Sequence, residues 1–210
     1  MTNLSPLKGH EHWRLAIVMV VVQLLDSAVT AKLVGGGELD AAGVAVVQFF
    51  HAGSGWLLLL LLAVILLSVF RPQSRWILPG LTAYLGFALL HLVVNVAALL
   101  FTATAKASGL ASLWDVGAIG AMSVLTFAVC YLVLDRITPG RAFLIPGRNG
   151  PLAEPGLGDY IYLSFDTCTT FGPTLEVPVS LRAKSLMMLQ VTLSIVVITV
   201  LLSRAVNAVG

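Results

Sequence analysis

The stretch Asp159–Asn207, DYIYLSFDTCTTFGPTLEVPVSLRAKSLMMLQVTLSIVVITVLLSRAVN, decides how this chain is read. It opens with a helical segment, Tyr160–Thr169, that is too short to cross a bilayer, because a spanning helix needs about 20 apolar residues. A Thr-Thr-Phe-Gly turn follows, then a return through Pro173 and Pro178, then an apolar run from Leu181 to near Val206 that is long enough to cross. Irregular backbone at membrane depth persists only where it is buried in protein or lines water. A short helix, a turn and a long helix are therefore the parts of a re-entrant loop, and Tyr160–Gly172 is expected to dip into the bilayer and turn back.

Four local features carry a resemblance. They are Tyr162-x-x-Phe165 in the short helix, Thr169-Thr170-Phe171-Gly172 at its end, Pro178-Val179 after the turn, and Ala183-Lys184-Ser185-Leu186 opening the last helix. The stretch resembles the pore loop and inner helix of the two-transmembrane potassium-channel (ion channel) pore-domain family, and most closely bacterial small membrane proteins with a degenerate selectivity filter. Elsewhere the correspondence is of apolar helices alone. The resemblance implies passive cation conduction, of potassium in the parent family, through a filter shared by several subunits. One pore loop per chain cannot enclose a pore, so it also implies a symmetric oligomer, most simply a homo-tetramer.

The filter departs from the family pattern. A potassium filter reads Thr-Val-Gly-Tyr-Gly, and its carbonyls replace the water shell of the ion. With Thr170 at the filter Thr, Phe171 falls at Val and Gly172 at the first Gly. Pro173 then falls at Tyr and Thr174 at the second Gly. Glycine tolerates positive φ where threonine is strained. Proline lacks the N–H that would tie the filter to the helix behind it. The upper half of a potassium-type carbonyl ladder is therefore expected to be absent, leaving a lower ring at Thr169, Thr170 and Phe171.

Composition places the rest of the chain in the same class. Of 210 residues, 58% are hydrophobic and 10% charged, and mean hydropathy is +0.97. Soluble domains carry roughly 25% charge, so the expectation is an all-α polytopic membrane protein, by the implied family in a bacterial plasma membrane with the lipid bilayer as its solvent. A net charge of +2 without a basic block points away from nucleic acid. Cys130 and Cys168 lie in apolar helical stretches and have neither a disulfide framework nor metal-ligand spacing.

In chain order, five spans are expected. The first runs from Leu15 to about Val34 and is interrupted by Gln23, Asp26 and Lys32. It reads as a span rather than a signal peptide, because Asp26 breaks the apolar core and the run continues past Ala31. Asp40 is placed to cap the second, Ala41–Phe70, which His51-Ala52-Gly53-Ser54-Gly55 weakens in the middle. The third runs from about Ile77 to Thr102, and the fourth from Ser112 to about Leu134, with a small-residue face at Gly117-Ala118-Ile119-Gly120-Ala121 suited to close packing. Trp56 and Trp76 read as interfacial aromatics. The linker Ile137–Gly158 is rich in Pro and Gly, Asp159 is placed to cap the short helix, and Ser180 the last one. The expected division is residues 1–112 as three N-terminal spans and 113–210 as the channel-like unit, with the re-entrant helix between the fourth and fifth spans.

Orientation pulls against the resemblance. With a cytoplasmic N-terminus and four spans before the loop, nine of the twelve basic residues fall inside: Lys8, Arg14, Arg71, Arg75, Arg136, Arg141, Arg148, Arg182 and Lys184. Lys32, Lys106 and Arg204 fall outside. The positive-inside rule favours this arrangement. It puts the filter loop on the cytoplasmic face, opposite to a potassium channel; either the charge rule fails here, or a crossing is miscounted near Ala41–Gly55, or the resemblance is architectural and no longer conductive.

The candidate site residues each carry two readings. Thr169, Thr170, Phe171, Gly172, Pro173 and Thr174 are a filter-like ring or a turn that seats a re-entrant helix. Asp166 and Glu176 are pore-mouth acids, or respectively a structural hydrogen-bonding group and a solvated loop residue. Asp26 is an ionisable group inside a span, which costs about 2.5–3.5 kcal/mol on insertion scales, and so is expected to face a partner, Lys32 or His91. His91 and Asn95 are spaced to share one helix face, as polar glue between helices or as a proton relay. No enzymatic arrangement, metal cluster or voltage-sensor Arg series is read, and no cofactor is expected beyond a permeant monovalent cation. The alternative function is a non-conducting scaffold or sensor built on the pore-domain architecture.

Overall fold

The computed structural model describes residues 9–36, 39–70, 77–102, 109–147, 150–152, 154–170 and 176–209. Among these the chain forms six helices: α1 (Gly9–Gly35), α2 (Ala41–Phe70), α3 (Ile77–Thr102), α4 (Gly109–Ile137), α5 (Leu157–Thr170) and α6 (Leu181–Val209). All but α5 are long and apolar enough to cross a membrane, which makes this an integral membrane protein of predominantly helical build. The α2 helix runs unbroken through His51–Gly55, so no additional crossing arises there.

Local chemistry sets the helix ends. Asp40 takes the N-cap of α2, with its Oδ1 accepting from the Gly43 N–H at 2.8 Å. Ser180 does the same for α6, accepting from the Ala183 N–H at 3.1 Å. The cap of α5 differs from expectation. Gly156 occupies the N-cap position, and Asp159, the third helical residue, reaches back to accept from the Gly156 N–H at 2.8 Å. After Ile137 the chain turns sharply. Gly140 and Arg141 both adopt positive φ, 75° and 78°, an unusual conformation for an arginine. The guanidinium of Arg141 donates to the Leu152 carbonyl at 2.7 Å, which anchors the turn.

The Pro/Gly-rich linker carries two short antiparallel pairings that periodicity did not reveal. Strand β1 (Phe143–Leu144) pairs with β4 (Val177–Pro178), and β2 (Pro146–Gly147) with β3 (Gly150–Pro151). The Val179 N–H also donates to the Ala142 carbonyl at 2.9 Å. The first pairing brings the segment leaving α4 beside the segment entering α6.

The α4 helix is central. It packs against α1, α3, α5 and α6, and 72% of its candidate span is buried, against 22% for α2. The expected small-residue contact on α4 is not where helices approach most closely. Among the described residues, nothing lies within 4 Å of where a Cβ would stand on Gly117 or Gly120. The close approach is at Gly53 of α2, where a Cβ would come 2.7 Å from Phe87 Cζ. Lys32 near the end of α1 meets Asp115 near the start of α4 at 3.2 Å, so those two helix ends lie together.

Candidate functional site

Two polar constellations stand out among the described residues. The first joins α4, α5 and α6. Gln190, fully buried on α6, accepts from the Tyr131 hydroxyl of α4 at 2.5 Å. Its amide Nε2 donates to the Ser164 carbonyl of α5 at 2.9 Å and to Ser164 Oγ at 2.8 Å. Ser164 Oγ in turn donates to the Val124 carbonyl of α4 at 2.8 Å. Such side chains are held inside a membrane bundle because their alternative is an unpaired polar group in hydrocarbon.

Nearer the linker, Asp135 of α4 closes a second clamp on α5. Its Oδ1 accepts from the N–H groups of Ala142 and Phe143 at 2.7 and 3.0 Å. Its Oδ2 accepts from the Tyr160 hydroxyl at 2.6 Å. Burial, followed by this bond to a carboxylate, pushes the Tyr160 phenol well above its ordinary range. Arg136 donates to the Pro155 carbonyl at 3.2 Å, just before α5 begins.

These contacts give α5 a direction. Tyr160 meets Asp135, near the end of α4, whereas Ser164 meets Val124, thirteen residues before that end. At 1.5 Å per residue this is about 20 Å back along α4. Gln190 lies nine residues into α6, about 14 Å from its start. The α5 helix thus descends between its neighbours, antiparallel to α4.

The outward face of α5 carries Tyr162, Phe165 and Thr169, with the two aromatics each 56% exposed. On α6 the exposed Leu181, Met188, Ile195 and Leu202 recur every seven residues, with Ser185, Thr192 and Thr199 between them. The Thr192 and Thr199 hydroxyls bond back to the Met188 and Ile195 carbonyls at 2.9 and 2.7 Å.

Of the filter-like set, Thr169 sits in the last turn of α5, where its hydroxyl bonds to the Phe165 carbonyl at 3.0 Å. Thr170 is the last residue of that helix. Its side chain and Phe171, Gly172, Pro173 and Thr174 lie outside the described residues, as do Trp76 and the basic loop at 71–75. Asp166 is buried, and Glu176 is only 5% exposed with one carboxylate oxygen lacking a partner among the described residues. Neither acid faces open solvent in the single chain. Both cysteines are free thiols.

The second constellation surrounds Asp26. His91 and Asn95 do share a face, and both point at this carboxylate at 3.3 and 2.9 Å. The expected Lys32 partner is replaced, since Lys32 pairs with Asp115 instead. The closest partner is His51 of α2, whose Nδ1 stands 2.6 Å from Asp26 Oδ2. The sequence reading passed over His51 as a weak spot in an apolar run, although a histidine inside a span is itself a signal. It also passed over Gln190, an amide within the apolar run of the last helix, and over the pairing of Asp135 with Tyr160.

Comparison of the chain with protein-family models, with curated proteins and with solved structures returns no match.

Proposed function

We propose that the protein is an ion-channel-like membrane protein in which α4, α5 and α6 form a pore unit. In this reading α5 is a re-entrant helix, and the conducting path for a monovalent cation arises on the axis of a homo-oligomer. The observation that carries the reading is the seating of α5. Its 14 residues span about 21 Å, short of the roughly 30 Å hydrocarbon core. Its middle lies beside the middles of α4 and α6, held by Ser164 and Gln190. The chain is paired to β1 again at Val177, so both ends of the α5 excursion belong to the same end of the bundle. Seven residues from Thr170 to Val177 reach about 25 Å when extended, enough for that return. The exposed stripes of α5 and α6 are surfaces that an oligomer would cover.

A second reading is a non-conducting scaffold or sensor on the same architecture. The burial of Asp166 and Glu176 favours it, because a cation mouth is served by accessible carboxylates. Flux measurements on the purified protein in liposomes decide between them. The channel reading expects uptake of potassium or sodium above that of empty vesicles. It further expects that replacing Pro173→Tyr together with Thr174→Gly shifts selectivity towards potassium. Absence of uptake of any monovalent cation overturns conduction and leaves the scaffold.

A further inference from the structure

We infer that Asp26, His51, His91 and Asn95 form a membrane-buried proton-binding site, built from α1, α2 and α3 and independent of the pore reading. Asp26, His91 and Asn95 are 2%, 4% and 0% exposed. They sit near the middle of their helices, with His51 about 15 Å along α2 from Ala41. Asp26 Oδ2 lies 2.6 Å from His51 Nδ1, and Oδ1 accepts from Asn95 Nδ2 at 2.9 Å with His91 Nε2 at 3.3 Å. Two buried polar atoms of the cluster, His91 Nε2 and Asn95 Oδ1, make no hydrogen bond among the described residues, although His91 Nε2 stands 3.3 Å from the carboxylate. Phe50 stacks on His91 with ring centroids 5.9 Å apart, closing that side with apolar surface.

A carboxylate at this depth is costly unless a proton or a cation neutralises it. The contact with His51 already requires one proton between Nδ1 and Oδ2, since neither atom bare would approach the other so closely. The side chain of His51 is 31% exposed on the outside of the single chain, while that of Asp26 is 3% exposed, so the histidine is the member of the pair that meets whatever surrounds the bundle. A second proton enters at His51 Nε2. An N–H bond forms there from hydronium, the Nδ1–H bond breaks, and its proton moves to Asp26 Oδ2. His51 ends neutral in the other tautomer, Asp26 ends as the neutral acid, and the site gains one positive charge overall. Asn95 holds the other oxygen in place throughout.

The neighbouring groups leave this titration to the cluster. On α1 and α4, Lys32 and Asp115 neutralise each other at 3.2 Å. Tyr84 of α3 is within electrostatic reach of Asp26, and Cys130 of α4 within reach of Tyr84. Neither is charged at neutral pH by the ordinary values of these groups.

The test uses the full chain in lipid nanodiscs. Imidazole nitrogen NMR follows His51 between about pH 5 and about pH 9, and infrared spectroscopy follows the protonated carboxyl band of Asp26 over the same range. The expected results are a pH-dependent tautomer or protonation change at His51 and a carboxyl band that grows as pH falls. The band is absent in Asp26→Asn, and the pH-dependent tautomer change at His51 is lost with it. If Asp26→Asn does not fold, His51→Gln serves, and its carboxyl band follows pH differently from that of the wild type. A His51 tautomer change that persists unaltered in Asp26→Asn overturns the proposal, as does an unmoved band in His51→Gln. A wild-type cluster that takes up no proton across the range overturns it as well.

Discussion

Replacing Asp135→Ala tests whether α5 is held in its seat by the linker clamp. The carboxylate of Asp135, 6% exposed, accepts three hydrogen bonds from donors that are themselves fully buried: the N–H groups of Ala142 and Phe143, and the Tyr160 hydroxyl. A buried donor left without an acceptor costs about 1–3 kcal/mol. Three of them, partly relieved by relaxation and shared in one network, cost about 4 kcal/mol together. That is a large share of a total stability of about 5–15 kcal/mol. Asp135→Asn keeps one oxygen for the two N–H groups but replaces the acceptor of the Tyr160 hydroxyl by an amide NH2, to which the hydroxyl must turn its lone pair, so its cost is about 1–2 kcal/mol. Tyr160→Phe removes one donor and leaves the carboxylate two others, costing about 1.5 kcal/mol.

The assay for this series is reversible unfolding in mixed detergent followed by tryptophan fluorescence. The Tyr160→Phe penalty is also expected to stay constant from about pH 6 to about pH 9. The folded-state phenol is raised above its unfolded value by burial and by Asp135. Its contribution is therefore complete below the unfolded value near 10 and lost only as pH climbs through the higher folded one. If Asp135→Ala costs no more than Asp135→Asn, or if Tyr160→Phe is neutral, the clamp is not what seats α5.

Three further outcomes are expected. Gln190→Leu removes three hydrogen bonds, the one from the Tyr131 hydroxyl among them, at a cost of about 2 kcal/mol. Adding Tyr131→Phe should cost less than the sum of the singles, and strict additivity in the same unfolding assay would contradict a shared network. Gly53→Ala drives a methyl to 2.7 Å from Phe87, destabilising by about 1–3 kcal/mol. Phe87→Leu should restore part of this, and a neutral Gly53→Ala by thermal unfolding would show that α2 and α3 are less closely packed. Finally, a cysteine introduced at Arg141 should label from the same side of the membrane as one near the N-terminus, because four helices long enough to cross precede it. Labelling from opposite sides would mean that one of the four does not cross.

The sequence by itself determined the number and place of the long helices. Membrane insertion depends on the summed cost of about 20 consecutive residues, and that sum is local. It also determined the caps at Asp40 and Ser180, which act over three residues. Even the odd position of Asp159 is a local matter, missed only because Gly156 leaves no side chain to compete for the N-cap. What tertiary structure alone decided is which polar groups meet. Asp26 finds His51 twenty-five residues away and Asn95 sixty-nine away. Lys32 goes to Asp115, and Gln190 reaches back to Tyr131 and Ser164. A helix that is apolar on every side carries no directional signal in its sequence, because no face is favoured until a neighbour is in place. The rotation of each span about its axis, and with it the choice of partners among these buried polar groups, is settled by packing between helices.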